Sequence, residues 1–312
     1  MKIAHVSDLH IDAVNKKVNY IRALHLFEYI KENKFDHIII SGDITENGDP
    51  ASFELARSLF KSFGLLSSDK LSLTIGNHDI YGGVHLAEDI VNYPSKCMQT
   101  SFYRKVKQFA FYFRESFQKT ISVNDHIFPY IKELDEIIIT GFNSNAHYSY
   151  FKNPFASNGK ISKKQISEAE DLFTAVIKKD KLNIAVTHHH FYRESNGSGS
   201  SSVWNAIERQ TMKLRRKKKI IKKFSDMAIS IVLHGHLHEN REYSRKNIKF
   251  LNSGGSIDSI SSLMLNEIFI NKRKIETRII KIPYPNTQPD KTVNDIFIPA
   301  KFAAAKQAFC LN

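Results

Sequence analysis

Cysteine is nearly absent: the chain has two, Cys97 and Cys310, far apart in sequence. That excludes a disulfide framework and points to a reducing, cytoplasmic setting. No apolar run approaches the roughly 18–20 residues needed to span a membrane. Met1 leads almost at once into an apolar strand (Ile3, Ala4, Val6), so no cleavable leader is expected. No internal repeat stands out. Acidic residues are in deficit, with 45 Lys and Arg against 32 Asp and Glu, a formal net charge of +13. Such a balance favours anionic partners, whether nucleotides, nucleic acid or an anionic membrane face. The basic residues are also spread widely enough to be ordinary solubilising charge. What is present is a globular composition, 42% hydrophobic over 312 residues, long enough to bury a sizeable core.

The early chain alternates strand and helix. Helical spacing at Val18, Ile21, Leu24 and Ile30 precedes a short apolar run, Ile38–Ile40. Asp49-Pro50 reads as an N-cap followed by proline at the first helical position, opening a helix that buries Phe53, Ala56, Phe60 and Phe63. Further strands are expected at Leu71–Ile75, Ile137–Ile139, Ile184–Val186 and Ile229–Leu233. Ser162-Lys163-Lys164-Gln165 reads as a capping box opening a helix through Ile177. Glu267–Ile270 and Ile275–Ile282 alternate around Asn271–Lys274, a hairpin pattern, so the sheet arrangement is expected to be mixed. The residues after Asn266 are expected to finish a second sheet and then wrap the surface. Residues 82–130 break the rhythm and, rich in aromatics, read as a helical insertion.

Five of the strands named end in residues able to hold a metal. The first gives Asp8 and His10, the second Asp43, and the third Asn77, His78 and Asp79. Later come His188, His189 and His190, then His234, His236 and His238. One such residue on an apolar strand is ordinarily a satisfied core group. Five coincidences at five strand ends, in one sheet system, could converge on a single crevice. Asp, His and Asn without Cys form an oxygen and nitrogen set that suits Mn²⁺, Fe or Zn²⁺ better than calcium or a thiolate zinc site. The donors exceed what one ion needs. They suit two ions ~3.5–4 Å apart, which together can polarise a phosphoryl oxygen and hold a bridging hydroxide for in-line attack.

The order Asp-x-His, Gly-Asp, Gly-Asn-His-Asp, His, Gly-His-x-His, running from residue 8 to 238, resembles the calcineurin-like metallophosphoesterase superfamily. The resemblance implies an α/β (α+β) fold: a four-layer α-β-β-α sandwich of two mixed sheets flanked by helices, with a dinuclear site at the strand ends. It implies Asp8, His10 and His238 as ligands of one ion and Asn77, His188 and His236 as ligands of the other, with Asp43 bridging. His189 is the alternative to His188. The resemblance places His78 outside the coordination sphere, facing the phosphate, where it stabilises charge or protonates the leaving oxygen. Asp79 is expected to support the ligands. His5, His25, His37, His85 and His126 are left as ordinary surface or core residues, and His234 is expected behind the site.

The run Gly42–Gly48 lacks the arginine with which related protein phosphatases clamp a phosphomonoester dianion. Instead, GDITENGDPASF and the later GFNSN…GKISKKQISEAEDLF are similar to segments of the cyclic-nucleotide and glycerophosphodiester phosphodiesterase branch. That branch's His-His-Pro-Pro is here His188-His189-His190-Phe191, a departure that bears on substrate placement. A phosphodiesterase is therefore expected. A nuclease, a phosphomonoesterase, a nucleotidase or a lipid-precursor pyrophosphatase remain alternatives, as does an inactive metal-binding scaffold. The basic run Leu214–Lys223 would bury Leu214, Ile220, Ile221 and Phe224 and turn its lysines outward, toward nucleic acid or an anionic membrane. The catalytic domain is expected over 1–285, with 286–312 as a surface extension. The insertion is expected to shape substrate choice or a homo-oligomer contact. Asn196–Ser202, with Trp204 at its hinge, reads as a lid.

Overall fold

The computed structural model describes residues 1–284 apart from 16, 85–86, 125, 177–179, 193–211, 213 and 260. The expected lid with Trp204, His85, Cys310 and the 286–312 extension lie outside the described residues.

Two successive strand-helix-strand units open the chain: β1 (Lys2–Val6), α1 (Lys17–Glu32), β2 (His37–Ile40), α2 (Pro50–Ser62) and β3 (Leu71–Leu73). The three strands are parallel. α1 buries Ala23, Leu26, Phe27 and Ile30, one stripe at helical spacing. α2 starts where expected, because the Asp49 carboxylate accepts the Ala51 and Ser52 N–H groups and Pro50 has no N–H to orphan. Phe63 is the C-cap of that helix and only partly buried, so the expected apolar face ends at Phe60.

The insertion departs from its expected form. After the single turn α3 (His78–Tyr81), the insertion's α4 (Ala87–Gln99), α5 (Phe102–Tyr112) and a 3-10 turn at Arg114–Phe117 are helical, but Thr120–Ser122 is a strand, β4. Three residues carry no strand signal of their own. Pairing with β5 (Tyr130–Glu133) makes them one. Phe109 and Phe113 are buried and pack edge-on against Phe53 of α2, which puts part of the insertion's aromatics into the core, while Tyr103 and Phe111 stay exposed.

The rest of the second sheet is β6 (Ile137–Gly141), β7 (Leu182–Val186), β8 (Ile229–His234), β9 (Asn240–Arg245) and β10 (Ile248–Ser253). α6 (Lys163–Val176) and α7 (Lys217–Asp226) lie among these strands in the chain. The final hairpin, β11 (Ser262–Asn271) and β12 (Lys274–Pro283), turns through Lys272 and Arg273, both at positive φ. It pairs antiparallel with β1. The residues after Asn266 therefore finish the first sheet, not the second: the register sets Lys2–His5 against Asn266–Phe269.

Both sheets are mixed, in the orders β12-β11-β1-β2-β3 and β4-β5-β6-β7-β8-β10-β9. Ile137, Ile139, Ile184, Val186, Ile231 and Leu233 join the larger core with the first sheet. Their alternates Ile138, Ala185 and Val232 join Ile166, Phe173, Ile220 and Phe224 of α6 and α7. Period-2 strands thus fill two cores at once, and the result is the expected four-layer sandwich. The sheets are also bonded to each other: Tyr130 Oη donates to Leu73 O (3.0 Å) and Thr74 Oγ1 to Phe142 O (2.6 Å). The parallel strands β1, β2, β3, β6, β7 and β8 all point their C-terminal ends toward one edge.

Candidate metal centre

The backbone at that edge is bent in an uncommon way. Asp8, His10, Asp43 and His236 all have positive φ, between 44° and 73°. Left-handed backbone costs a residue with a Cβ about 1–2 kcal/mol, and four such residues side by side are held there by their surroundings. The Asp8 N–H donates to Gly42 O (3.1 Å), the His10 N–H to Asp43 O (3.0 Å) and the His236 N–H to the Asp8 carboxylate (3.0 Å). Gly76 must be glycine: a Cβ there would stand 2.2 Å from the Asp43 nitrogen. Asp79, fully buried, accepts the Ile44, Thr45 and Gly76 N–H groups and the Thr45 hydroxyl. It therefore clamps the turn that carries Asp43 to the turn that carries Asn77 and His78. Burial, followed by the nearby Asp43 charge, pushes its carboxyl up to about 6.

This backbone brings the donors into two groups. In the first, Asp8 Oδ1 lies 3.8 Å from His10 Nε2 and 3.8 Å from His238 Nε2. Asp8 Oδ1 and His10 Nε2 are buried without a hydrogen-bond partner among the described residues. In the second, His188 Nε2 lies 3.2 Å from Asp43 Oδ2, 3.1 Å from Asn77 Oδ1 and 3.2 Å from His236 Nδ1. Donors that share an ion at bond lengths near 2.1 Å stand roughly 3–4 Å apart. The side chains present therefore fit a first-row divalent ion in each group. Asp43 Oδ2 faces the second group, while its Oδ1 accepts the His78 N–H at 2.8 Å.

Charge is concentrated here. Burial alone would raise the Asp43 pKa, but the charge of the adjacent His188 holds it well below the carboxylate range. Burial likewise opposes protonation of His188, yet the Asp43 carboxylate draws it up to about 9. Burial takes His78 down to about 4, so its ring is neutral near pH 7. His189 sits between Ser144 Oγ (2.9 Å) and the Ser157 carbonyl (3.2 Å), which engages both ring nitrogens and leaves His188 as the member of the triplet in the donor group. His234 is buried behind the site against the Tyr243 hydroxyl, and His5 and His37 are core residues bonded to Ser41 and Ser72.

Two carboxylates had not been singled out. Glu46 Oε2 lies 2.8 Å from His10 Nδ1, and its carbonyl lies 3.2 Å from His78 Nδ1. Asp258 Oδ2 lies 2.7 Å from His238 Nδ1. Each stands behind a histidine whose other nitrogen faces Asp8, the arrangement that fixes the tautomer of a ligating imidazole. Ser41 O does the same for His188 Nδ1 at 2.9 Å. Glu46 also joins His10 and His78 in a third cluster of potential donors. In sequence Glu46 is one polar residue in a turn, 36 positions from His10, with no spacing rule to single it out.

Residues 1–240 match the family model for calcineurin-like phosphoesterases, and the chain belongs to that family of metal-dependent phosphoric ester hydrolases. A dimetal phosphatase from Danio rerio is similar in structure, with a TM-score of 0.56 at 9% identity over 91% of this chain and 99% of that one. A purple acid phosphatase from yellow lupin seeds reaches 0.52 at 12% identity, over 89% of this chain and 51% of its own. At such identities the likeness is one of fold. Among curated proteins none matches the chain. Among the described residues, no helix is long and apolar enough to cross a membrane.

Proposed function

We propose that the protein is a phosphodiesterase in which Asp8, His10 and His238 hold one divalent ion and Asn77, His188 and His236 a second, with Asp43 shared between them. Mn²⁺, Fe or Zn²⁺ suits these donors. Bound ions would polarise the phosphoryl oxygen and lower the pKa of an attacking water. The remaining work falls to the chain. The Nδ1 of His78 is turned to the Glu46 carbonyl, which leaves its Nε2 for the ester; a proton that Nε2 takes up as the negatively charged ester approaches would stabilise charge there and pass to the leaving oxygen. Asp79 keeps His78 and Asp43 in register by holding both turns.

The observation that carries the diester reading is Glu46. Its buried carboxylate lies against His10 and His78, in a run that has no arginine. The run itself supplies no guanidinium, so a monoester dianion approaching His78 meets that negative charge, whereas a diester brings one charge fewer. The catalytic unit is taken as residues 1–285. The insertion borders the site, Lys105 Nζ donating to Gly48 O at 2.5 Å, and supplies a wall for substrate choice. The two distant cysteines fit a cytoplasmic setting.

The test is hydrolysis of a bis-aryl phosphate diester beside the matching monoester, with apo and Mn²⁺-loaded protein. Metal-dependent turnover that favours the diester and falls about 10²–10⁴-fold in His78→Ala is expected. A preference for the monoester would instead make the protein a phosphatase or nucleotidase.

A further inference from the structure

The loop between β6 and α6 carries a feature that the metal centre does not use. At its tip Phe151 is 91% exposed and Tyr150 65%, with Phe155 nearby at 52%. Single surface aromatics are ordinary, but this turn is built to hold its rings in water. The Asn153 N–H donates to Ser149 O at 2.8 Å. The buried Asn153 side chain donates to the Ala146 and His147 carbonyls and accepts the Asn158 N–H. The Asn158 amide and the Arg215 guanidinium both donate to the Lys152 carbonyl. The Tyr150 and Phe151 rings meet edge to face, with centroids 5.5 Å apart.

The neighbourhood is cationic. Arg215 also bonds through its N–H to Gly159 O, which sets the start of the basic run beside this loop. Lys222 and Lys223 are paired with Asp226 and Glu170. Exposed Lys152, Arg216, Lys218 and Lys219, by contrast, have no carboxylate within ion-pair distance among the described residues. Both ends of the loop return to the metal centre: the Ser144 hydroxyl accepts the His188 N–H, and the Ser157 carbonyl faces His189.

We propose that this tip docks the protein on an anionic membrane surface. Tyr150 and Phe151 enter the headgroup layer, and Lys152, Arg216, Lys218 and Lys219 meet lipid phosphates. Aromatic rings with cations beside them suit that boundary, where the apolar body is buried and the charges stay at the phosphates. A single-stranded nucleic acid calls for a groove that tracks its backbone and rings that stack successive bases. Here the rings stand on a convex turn and pack against each other. Docking does not depend on the reaction proposed above.

The experiment is co-sedimentation of the full chain with vesicles of phosphatidylcholine alone and of phosphatidylcholine mixed with phosphatidylglycerol, at low and high salt. The expected result is binding to the mixed vesicles that weakens with salt. Partitioning should drop at least about tenfold in Tyr150→Ser/Phe151→Ser and in Lys218→Glu/Lys219→Glu. Asp43→Asn should bind as the unaltered chain does, which separates docking from the metal centre. Tyr150, Phe151, Lys218 and Lys219 are all exposed, so circular dichroism should show unchanged folding in those two variants. Failure to bind the mixed vesicles, or wild-type binding by the aromatic variant, would overturn the proposal. So would binding of single-stranded RNA, but not vesicles, that is lost in the aromatic variant.

Discussion

Glu46 stands between two histidines with different tasks, which makes it informative at the scale of single residues. Replacing it with leucine removes the acceptor behind His10 Nδ1. Divalent-ion affinity should then drop by about 10–100-fold. Glu46→Gln should keep most of the affinity, because the amide oxygen still accepts the imidazole N–H. Calorimetric titration of the apo protein separates the two outcomes, and wild-type affinity in the leucine variant would reduce Glu46 to a space-filling role. Gly76→Ala should be severe, since its Cβ would meet Asp43 backbone as well as carboxylate. Loss of metal binding in that variant, read by the same titration, is the expected outcome. The candidate donors Asp8, His10, Asp43, Asn77, His188, His236 and His238 stand out in the sequence because each lies two to four residues past the end of a strand, and their expected roles follow from the family resemblance. Glu46 and Asp258 were not. They act on histidines far away in sequence, and a lone carboxylate in a polar turn is common.

At the scale of elements, local chemistry was legible wherever it acts locally. The Asp49 cap of α2 is such a case: its oxygens accept the Ala51 and Ser52 N–H groups and the Ser52 hydroxyl. Asp49→Ala should cost about 1 kcal/mol, measured as a lower urea midpoint with an unchanged slope. The expected capping box at Ser162 is only half formed. Ser162 Oγ accepts the Gln165 N–H, but the Gln165 side chain reaches instead to the Asn143 backbone, accepting its N–H at 2.8 Å and donating to its carbonyl at 3.0 Å. A tertiary partner outbid the local one there, holding the loop that leads to Ser144 beside the metal centre. β4 escaped notice for the opposite reason: Thr120–Ser122 is a strand only because β5 lies beside it.

At the scale of the whole molecule, strand-helix alternation pointed to helices packed on a sheet and the family resemblance implied the four-layer sandwich, but which sheet each late strand joins depends on long-range pairing. The β11-β12 hairpin completes the first sheet through β1, a choice that alternating hydrophobicity does not encode. Lys132 shows what the layers demand of each other. Buried on β5, it donates to Leu71 O (2.6 Å) of the first sheet and to Ser116 O (2.8 Å) of the insertion, joining three parts of the fold. Burial pulls its amine down from the usual lysine range to about 7. The unfolded chain therefore binds the extra proton between about pH 7 and 10.5, and stability should rise with pH across that window by up to about 1.4 kcal/mol per unit. In Lys132→Met that rise should flatten, as read from urea unfolding at pH 7 and pH 9. An equal slope in both proteins would place the proton uptake elsewhere.

On the proposed reading, the common edge of the two sheets holds two ions through two distinct sets of side chains. Anomalous diffraction from a Mn²⁺-soaked crystal tests it most directly. Two peaks are predicted, one among Asp8, His10 and His238 and one among Asn77, His188 and His236, with Asp43 between them. A single peak, or density between His10, Glu46 and His78, would contradict it.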